Sequence, residues 1–417
     1  MLIAELFTAA IALLGHFALG LALLQQVHSA GWSCNVHKLV DRLWISIWPA
    51  IPLAIGAHAW IAGNGFFAEW LSGFSQFDAT SFLSIYLCTC LAFGIWTIAG
   101  WIQLRFFSAP PAQLLSDKTN VVDLQAELGA GAIGNWAGGL FLSLPGNESL
   151  QLEINERELR LARLPAEMDG LTIAHLSDLH YTGRLSKEYF SAIVDRVLAL
   201  NADLIVLTGD LVEEESCLEW LPETLGRLRA AHGVHFILGN HDRRLADPEG
   251  LRRQLESLGL RSAAGNWHSI ELAEGRVILG GDERPWFPEG PDSDELPADV
   301  CGELRPLRLL LAHTPDRIDW AQAADIDLVL AGHTHGGQVQ VPGIGPIVAP
   351  SRYGVRYAGG TYLVGQVLMH VTRGVSAQHP LRYGARPEIV KLVLRSPVKK
   401  DVATPTEPEA IAVTAGQ

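Results

Sequence analysis

Three long apolar stretches open the chain, at about residues 2–24, 43–63 and 82–104. Each is long enough to cross a bilayer as a helix, which takes about 20 residues. The third carries no charge between Phe82 and Leu104. The second holds Pro49 and Pro52, which predict a kink. Trp32, Trp44, Trp60 and Trp101 lie near the ends of the stretches, as an interfacial aromatic belt requires. From about residue 149 the pattern changes. Leu150–Leu161 alternates apolar and polar positions like a half-exposed strand. Short apolar runs follow at 171–176, 204–207, 234–238, 307–312 and 326–331. Between them, apolar residues recur at helical spacing over 189–200, 218–228, 251–258 and 317–323. Runs alternating with helices predict an α/β fold of parallel or mixed sheets covered by helices. The expected organisation is a transmembrane region at 1–107, a connector at 108–148, a soluble domain at 149–395 and a disordered tail at 396–417. Within the connector, 129–144 is apolar but short, a weaker candidate for a fourth span.

Composition sharpens this division. Of the 417 residues, 48% are hydrophobic and 18% charged, against about 25% charged in an average soluble domain. Residues 1–110 hold only seven of the 31 basic and 45 acidic residues. The net charge of −14 and the lack of a long Lys/Arg run argue against nucleic acid as a partner. Five scattered cysteines with no C-x-x-C pair exclude a disulfide scaffold. No Lys or Arg precedes the first apolar run, so a cleavable signal peptide is not expected. Lys38 and Arg42 in the first loop, Arg105 and Lys118 after the third stretch, and only Glu69 and Asp78 between them predict the N-terminus outside and the domain in the cytoplasm. His16 and His58 fall within spans and read as neutral, hydrogen-bonded helix contacts.

The chemistry sits where the apolar runs end. Run 171–176 leads into Ser177-Asp178-Leu179-His180, and 204–207 into Thr208-Gly209-Asp210. Run 234–238 leads into Gly239-Asn240-His241-Asp242, 307–312 into His313, and 326–331 into Gly332-His333-Thr334-His335. In α/β sheets ligands bind beyond the carboxyl ends of strands, so these groups can converge on one rim. Carboxylates, an amide and several imidazoles suit Mn²⁺, Fe or Zn²⁺ better than Ca²⁺. They are numerous enough for two ions, which together can share a hydroxide and clamp phosphoryl oxygens.

In these five blocks the sequence resembles the calcineurin-like metallophosphoesterase superfamily. The pattern there is Asp-x-His, Gly-Asp, Gly-Asn-His-Asp/Glu, a lone His and Gly-His-x-His, over about residues 150–395. Leu176–His180, Gly336–Gly345, Pro380–Gly384 and Arg386–Glu388 are similar to the bacterial membrane-associated YkuE/YaeI-like branch. The resemblance implies a four-layer αββα sandwich of two mixed sheets, here preceded by an all-α region of about three membrane helices. It implies two divalent ions, Mn²⁺ first, with Fe, Zn²⁺ or Mg²⁺ as alternatives. Asp178, His180 and His335 would hold one, Asn240, His313 and His333 the other, and Asp210 would bridge them. His241 would act on the substrate as the catalytic residue. Asp242 is a candidate to orient a histidine, and His175 a core or supporting residue.

The implied activity is hydrolysis of a phosphoester or pyrophosphate at the cytoplasmic face of a bacterial inner membrane. A lipid-linked substrate such as UDP-diacylglucosamine, which some relatives in the branch cleave, is the preferred guess. The rivals are a phosphodiesterase for a soluble nucleotide and a membrane sensor or scaffold with an inactive domain. Arg352, Arg356, Arg373, Arg382 and Arg386 against the single Glu388 read as a basic island, either a solvated face or a hold for phosphate or an anionic membrane. Trp286, Phe287, Tyr353 and Tyr357 read as core or pocket lining.

Overall fold

The computed structural model describes residues 2–32, 34–61, 81–273, 275–288, 290–297 and 304–397. The strands, in chain order, are β1 (Leu114–Asp123), β2 (Gln151–Arg160), β3 (Thr172–Leu176), β4 (Leu204–Thr208), β5 (Val234–Ile237), β6 (Arg261–Ser262), β7 (Trp267–Leu272) and β8 (Gly275–Asp282). They continue as β9 (Leu307–Ala312), β10 (Leu328–Ala331), β11 (Gln340–Val341), β12 (Gly345–Pro346), β13 (Gly360–Val364), β14 (Val367–Val371) and β15 (Glu388–Arg395). One sheet runs β1-β2-β15-β3-β4-β5-β6 and the other β13-β14-β10-β9-β8-β7. Both are mixed: β3 to β6 are parallel, as are β8, β9, β10 and β14, while the outer strands β1, β7 and β13 pair antiparallel.

Alternation along the buried strands builds the layers. Leu204 and Val206 of β4 face Leu309 and Leu311 of β9 in a core between the sheets. Ile205 and Leu207 face outward to Phe190, Ile193 and Val197 of the helix Lys187–Ala199. Leu310 and Ala312 face the other way, to Ile318 and Ala321 of the helix Ile318–Ala323. A strand buried on both faces needs apolar residues at every position, which is why these runs are continuous in sequence. The segment 218–228, expected as an α-helix, forms 3-10 turns at Glu215–Glu223 and Leu225–Arg227, with Pro222 removing a helical donor.

The region expected as a connector is part of the domain. Residues 114–123 form β1, paired along its length with β2. The helix Trp136–Leu142 has seven residues, too short to span a bilayer. Residues 398–417, most of the expected tail, lie outside the described residues.

The N-terminal region consists of α1 (Leu2–Ser29), α2 (Cys34–Ile47), α3 (Ala50–Ile61) and α4 (Phe82–Ile102). The break between α2 and α3 falls at Trp48 and Pro49, where the prolines predicted a kink. Three segments, Leu6–Ser29, Lys38–His58 and Phe82–Phe107, are long and apolar enough to cross a membrane. A Cβ on Gly15 would collide with Cys90 O, and one on Gly94 with Ile11 O. The backbones of α1 and α4 therefore touch, as small residues allow between membrane helices. His16 stacks on Trp48 and bonds to Trp48 O (3.0 Å) and the Tyr86 hydroxyl (2.5 Å), so its expected helix-joining role is met.

The contacts Ile11–Gly94 and Gly15–Cys90 make α1 and α4 antiparallel. The start of α1 thus lies at the end of α4 that leads into the domain. Three alternating spans would have put it at the opposite end, so the expected topology is corrected. The connecting residues 62–80 lie outside the described residues. Lys38 and Arg42 then fall at the other end of the pair from Arg105, which removes the charge asymmetry behind the cytoplasmic placement. Both ends of the pair touch the domain: Gln26 donates to Arg352 O and Trp101 to Ile344 O.

The expected basic island is also corrected. Its arginines do not share a surface, because most are internally paired. Arg373 pairs with Glu153 and Glu388, Arg386 with Glu148, and Arg352 with Asp319, while Arg382 is buried. Glu388 at the start of β15 is itself fully buried. It accepts from Arg373 N (2.8 Å), Arg373 Nη2 (2.7 Å) and Asn155 Nδ2 (2.6 Å), with Arg157 Nη2 at 3.5 Å. Burial opposes its ionisation, but Arg373 and Arg157 outweigh burial and hold its carboxyl well below the usual carboxylate range. Its stabilisation is therefore present at neutral pH and fades as pH falls through that depressed value. Glu388→Ala leaves Arg373 with Glu153 and Arg157 with Asp117 but removes the acceptor of Asn155 and of Arg373 N, and should cost about 1–3 kcal/mol. Thermal unfolding of the full chain in detergent checks this; an unchanged Tm would contradict it.

Candidate metal centre

The eight residues expected from the sequence are all brought to one rim. Asp178 and His180 follow β3, Asp210 follows β4, and Asn240 and His241 follow β5. His313 follows β9, and His333 and His335 follow β10. Each sheet thus supplies part of the site, and the site closes only because the sheets pack face to face.

The turns are strained. Asp178, His180, Asp210, His333 and His335 all have positive φ, between 46° and 70°. That region costs a non-glycine residue roughly 1–3 kcal/mol, and such residues cluster at functional sites. Backbone bonds lock the turns: Asp178 N donates to Gly209 O (3.0 Å) and His180 N to Asp210 O (2.9 Å). The carboxylates hold neighbouring loops, since Asp210 Oδ1 accepts from His241 N (2.7 Å) and Asp178 Oδ2 from His333 N (3.0 Å). Gly239 is required by space, because a Cβ there would strike Asp210 Oδ1.

The side chains then meet. His180 Nε2 lies 3.2 Å from His335 Nε2 and 3.8 Å from Asp178 Oδ1. His313 Nε2 lies 3.0 Å from Asn240 Oδ1. Asp210 Oδ2 stands between the two sets, 3.6 Å from His180 Nε2 and 3.3 Å from His313 Nε2. His313 Nδ1 donates to Thr208 O (2.6 Å), which leaves the Nε2 lone pair facing Asp210. Ligand atoms of Asp178, His180 and His335 lie within 4.8 Å of one another, as do those of Asp210, His313 and His333. Asp210 Oδ2 and His333 Nε2 are buried without a hydrogen-bond partner. Buried polar atoms are rarely left so, and aligned donor atoms of this kind fit divalent cations.

Electrostatics agrees. Burial opposes ionisation of Asp210, but His313 and His241 outweigh it and hold the carboxyl well below the usual range. Burial lowers His180, yet Asp178, Glu213 and Asp210 outweigh it and raise the ring to about 10. Burial likewise opposes protonation of His313, which Asp210 and Asp178 raise to about 9. A cation entering the centre replaces such protons, because ligation needs neutral imidazoles.

Several contributors were not legible beforehand. Glu213 accepts from His180 Nδ1 (2.5 Å), and its Oε1 lies 2.8 Å from His241 Nδ1. His180, Glu213 and His241 form a third set of donor atoms within 4.8 Å. The available signal was Gly209-Asp-Leu-Val-Glu213, an acid three residues beyond the bridging candidate. Asp242 orients no histidine. Its carboxylate accepts from Leu211 N, Val212 N and Gly239 N, each at 2.8 Å, and so fastens two ligand-bearing turns. Burial, with the Asp210 charge, pushes its carboxyl up to about 7.

Other neighbours press on the histidine rings. Arg382 lies behind His335, donating to His335 O and Arg373 O at 2.8 Å. Trp286 packs on His313 and His333, with ring centroids at 5.3 and 4.8 Å. His175 bonds to Thr208 Oγ1 (2.9 Å) and approaches His370 (3.1 Å) in the inter-sheet core, as a supporting residue would. Removing the orienting acid from a metal-binding histidine costs about 10–100-fold in affinity. Glu213→Gln should therefore lower Mn²⁺ affinity by that range while leaving Tm nearly unchanged; equilibrium dialysis with elemental analysis reads it, and full affinity would refute the assignment.

Residues 171–337 match the calcineurin-like phosphoesterase family. The chain is 29% identical over 273 residues to the uncharacterized metallophosphoesterase YkuE of Bacillus subtilis, covering 64% of this chain and 94% of that one. It is 29% identical over 239 residues to the phosphodiesterase YaeI of Escherichia coli, covering 56% and 86%. Over 251 residues it is 32% identical to a transmembrane protein with a metallophosphoesterase domain from Danio rerio, covering 57% of this chain and 56% of that protein's length. The strand-end motifs, the two mixed sheets and these relationships show that the chain carries a calcineurin-like metallophosphoesterase domain, similar to YkuE and YaeI, and mark it as a metal-dependent phosphoester hydrolase.

Proposed function

We propose that the chain is a membrane-anchored phosphoesterase working with two divalent cations, Mn²⁺ by preference, on a lipid-linked phosphoester or pyrophosphate. Asp178, His180 and His335 would hold one ion, Asn240, His313 and His333 the other, and Asp210 would bridge. The observation that carries this reading is the position of Asp210 Oδ2 between His180 and His313, at 3.6 and 3.3 Å. Bound there, two dications would supply Lewis-acid charge to phosphoryl oxygens and lower the pKa of water.

The chain's own groups do the rest. The strained turns hold the ligands in place before substrate arrives, so little reorganisation accompanies reaction. His241 keeps Nδ1 against Glu213 and lies with Nε2 4.0 Å from Asp210 Oδ2. Burial lowers the ring below the ordinary imidazole value against the pull of Asp210 and Glu213, and its Nε2 is the edge placed to meet a phosphoryl or leaving oxygen on this side of the centre. Its side chain is 13% exposed, whereas that of His180 is fully buried.

The anchor reading rests on the apolar helices, whose flanks face no other described residue: Leu53, Trp60, Trp96 and Phe107 are each more than 60% exposed. An anchored enzyme meets amphipathic substrates at the bilayer surface, which favours a lipid-linked one such as UDP-diacylglucosamine. The relative YaeI of Escherichia coli favours a bacterial inner membrane as the site.

His241→Ala should lose about 10²–10⁴-fold in kcat on an alkyl phosphodiester, whose leaving alkoxide needs a proton, with metal content intact; an unchanged rate on that substrate removes His241 from the reaction. Asp210→Asn should lose metal as well as turnover, and full occupancy would contradict bridging. The full chain should resist alkaline carbonate extraction from membranes and hydrolyse a lipid extract in preference to a panel of soluble nucleotides. Preference for the nucleotides would replace the lipid reading.

A further inference from the structure

A groove of about 1720 Å³ lies away from the metal centre. It runs between residues 101–114, which lead from α4 into β1, and the β11–β12 turn with residues 355–363. None of the eight metal-centre residues lines it. One wall is apolar and comes from Trp101 of α4 and from Leu104 and Phe107 in the turn just beyond it, with Phe107 79% exposed. The opposite wall presents Ile344, half exposed, and Trp101 Nε1 donates across to Ile344 O at 2.9 Å.

The polar lining is one-signed. Asp117 is paired with Arg157 at 3.1 Å and Glu148 with Arg386 at 2.9 Å. Arg105 and Arg356 also line the groove, both exposed, and among the described residues neither has a carboxylate partner. Arg356 lies instead over the Tyr357 ring, 5.2 Å from its centroid. Two uncompensated guanidinium groups are notable in a chain of net charge −14. Guanidinium is suited to bidentate recognition of phosphate. The groove is also larger than the roughly 300–1,000 Å³ of a typical small-molecule pocket.

We propose that this groove binds one anionic phospholipid of the surrounding bilayer, at a site separate from the metal centre. The phosphate lies between Arg105 and Arg356, and the acyl chains follow Leu104, Phe107 and Ile344 toward α4. Continuity with the apolar end of α4 selects a bilayer lipid over a soluble anion. The bound lipid ties the β11–β12 turn to the end of the helix and so fixes the domain against the membrane surface. This rests on the membrane-anchor reading above.

The test uses the full chain in detergent, titrated with phosphatidylglycerol or phosphatidylcholine and read by native mass spectrometry. Phosphatidylglycerol should be retained over phosphatidylcholine. The double variant Arg105→Gln/Arg356→Gln should bind phosphatidylglycerol about ten- to thirty-fold more weakly, as loss of two surface charges implies. Equal retention of the two lipids, or unchanged retention in the double variant at unchanged Tm, overturns the site. The same variant should keep its metal and its rate on bis(p-nitrophenyl) phosphate in detergent. A lost rate with metal intact would overturn the separation from the metal centre. Carbonate extraction distinguishes the two levels: release of the wild-type chain overturns the anchor and the lipid site together. A chain that stays embedded without lipid preference overturns the lipid site alone.

Discussion

Asp210 is the constraint around which the catalytic domain is arranged. One oxygen accepts the backbone of His241, and the other faces histidines from both sheets without a hydrogen bond of its own. A buried carboxylate in that position is tolerable only with positive charge beside it. The neighbouring turns accept left-handed backbone at five side-chain-bearing positions to deliver that charge or to bind it. The strain is held in place by the backbone bonds between turns and by Asp242, which secures three of their amides.

The sandwich is what makes these turns meet. Strands β3, β4 and β5 end beside one another in one sheet, and β9 and β10 in the other. Facing alternation packs the sheets on a shared leucine-rich core, so their carboxyl ends share an edge. Between the sheets a polar chain runs from Arg157 through His370, His175 and Thr208 to His313. Buried polar groups of this kind are stable only when each is satisfied. The chain links the fold's interior to a ring at the metal centre.

The N-terminal helices obey different physics. Among the described residues their exposed apolar faces have no partner, and glycines let the backbones of α1 and α4 touch beside a small cluster of Ala9, Ala12, Leu87 and Cys90. Close backbone approach fixed an antiparallel pair, which loop charges had not indicated. The arginines expected to form a basic island show the same limit. Charge counted along the chain said nothing of Glu153, Glu148 or Asp319, which lie far away in sequence and neutralise them.

The amino-acid sequence by itself determined the strand runs, the division into an apolar and a more polar part, and which eight polar residues stand at the strand ends. It could do so because burial on both faces demands continuous apolar runs, and because chemistry at strand ends follows them at once. Tertiary structure alone decided that residues 114–123 are a sheet edge, that Glu213 serves two histidines, that Asp242 holds backbone, and that Arg382 lies behind His335. Each of those outcomes is a contact between segments distant in sequence or across a turn. Side-chain identity names what a group can bond to, while only packing determines which partner comes within reach.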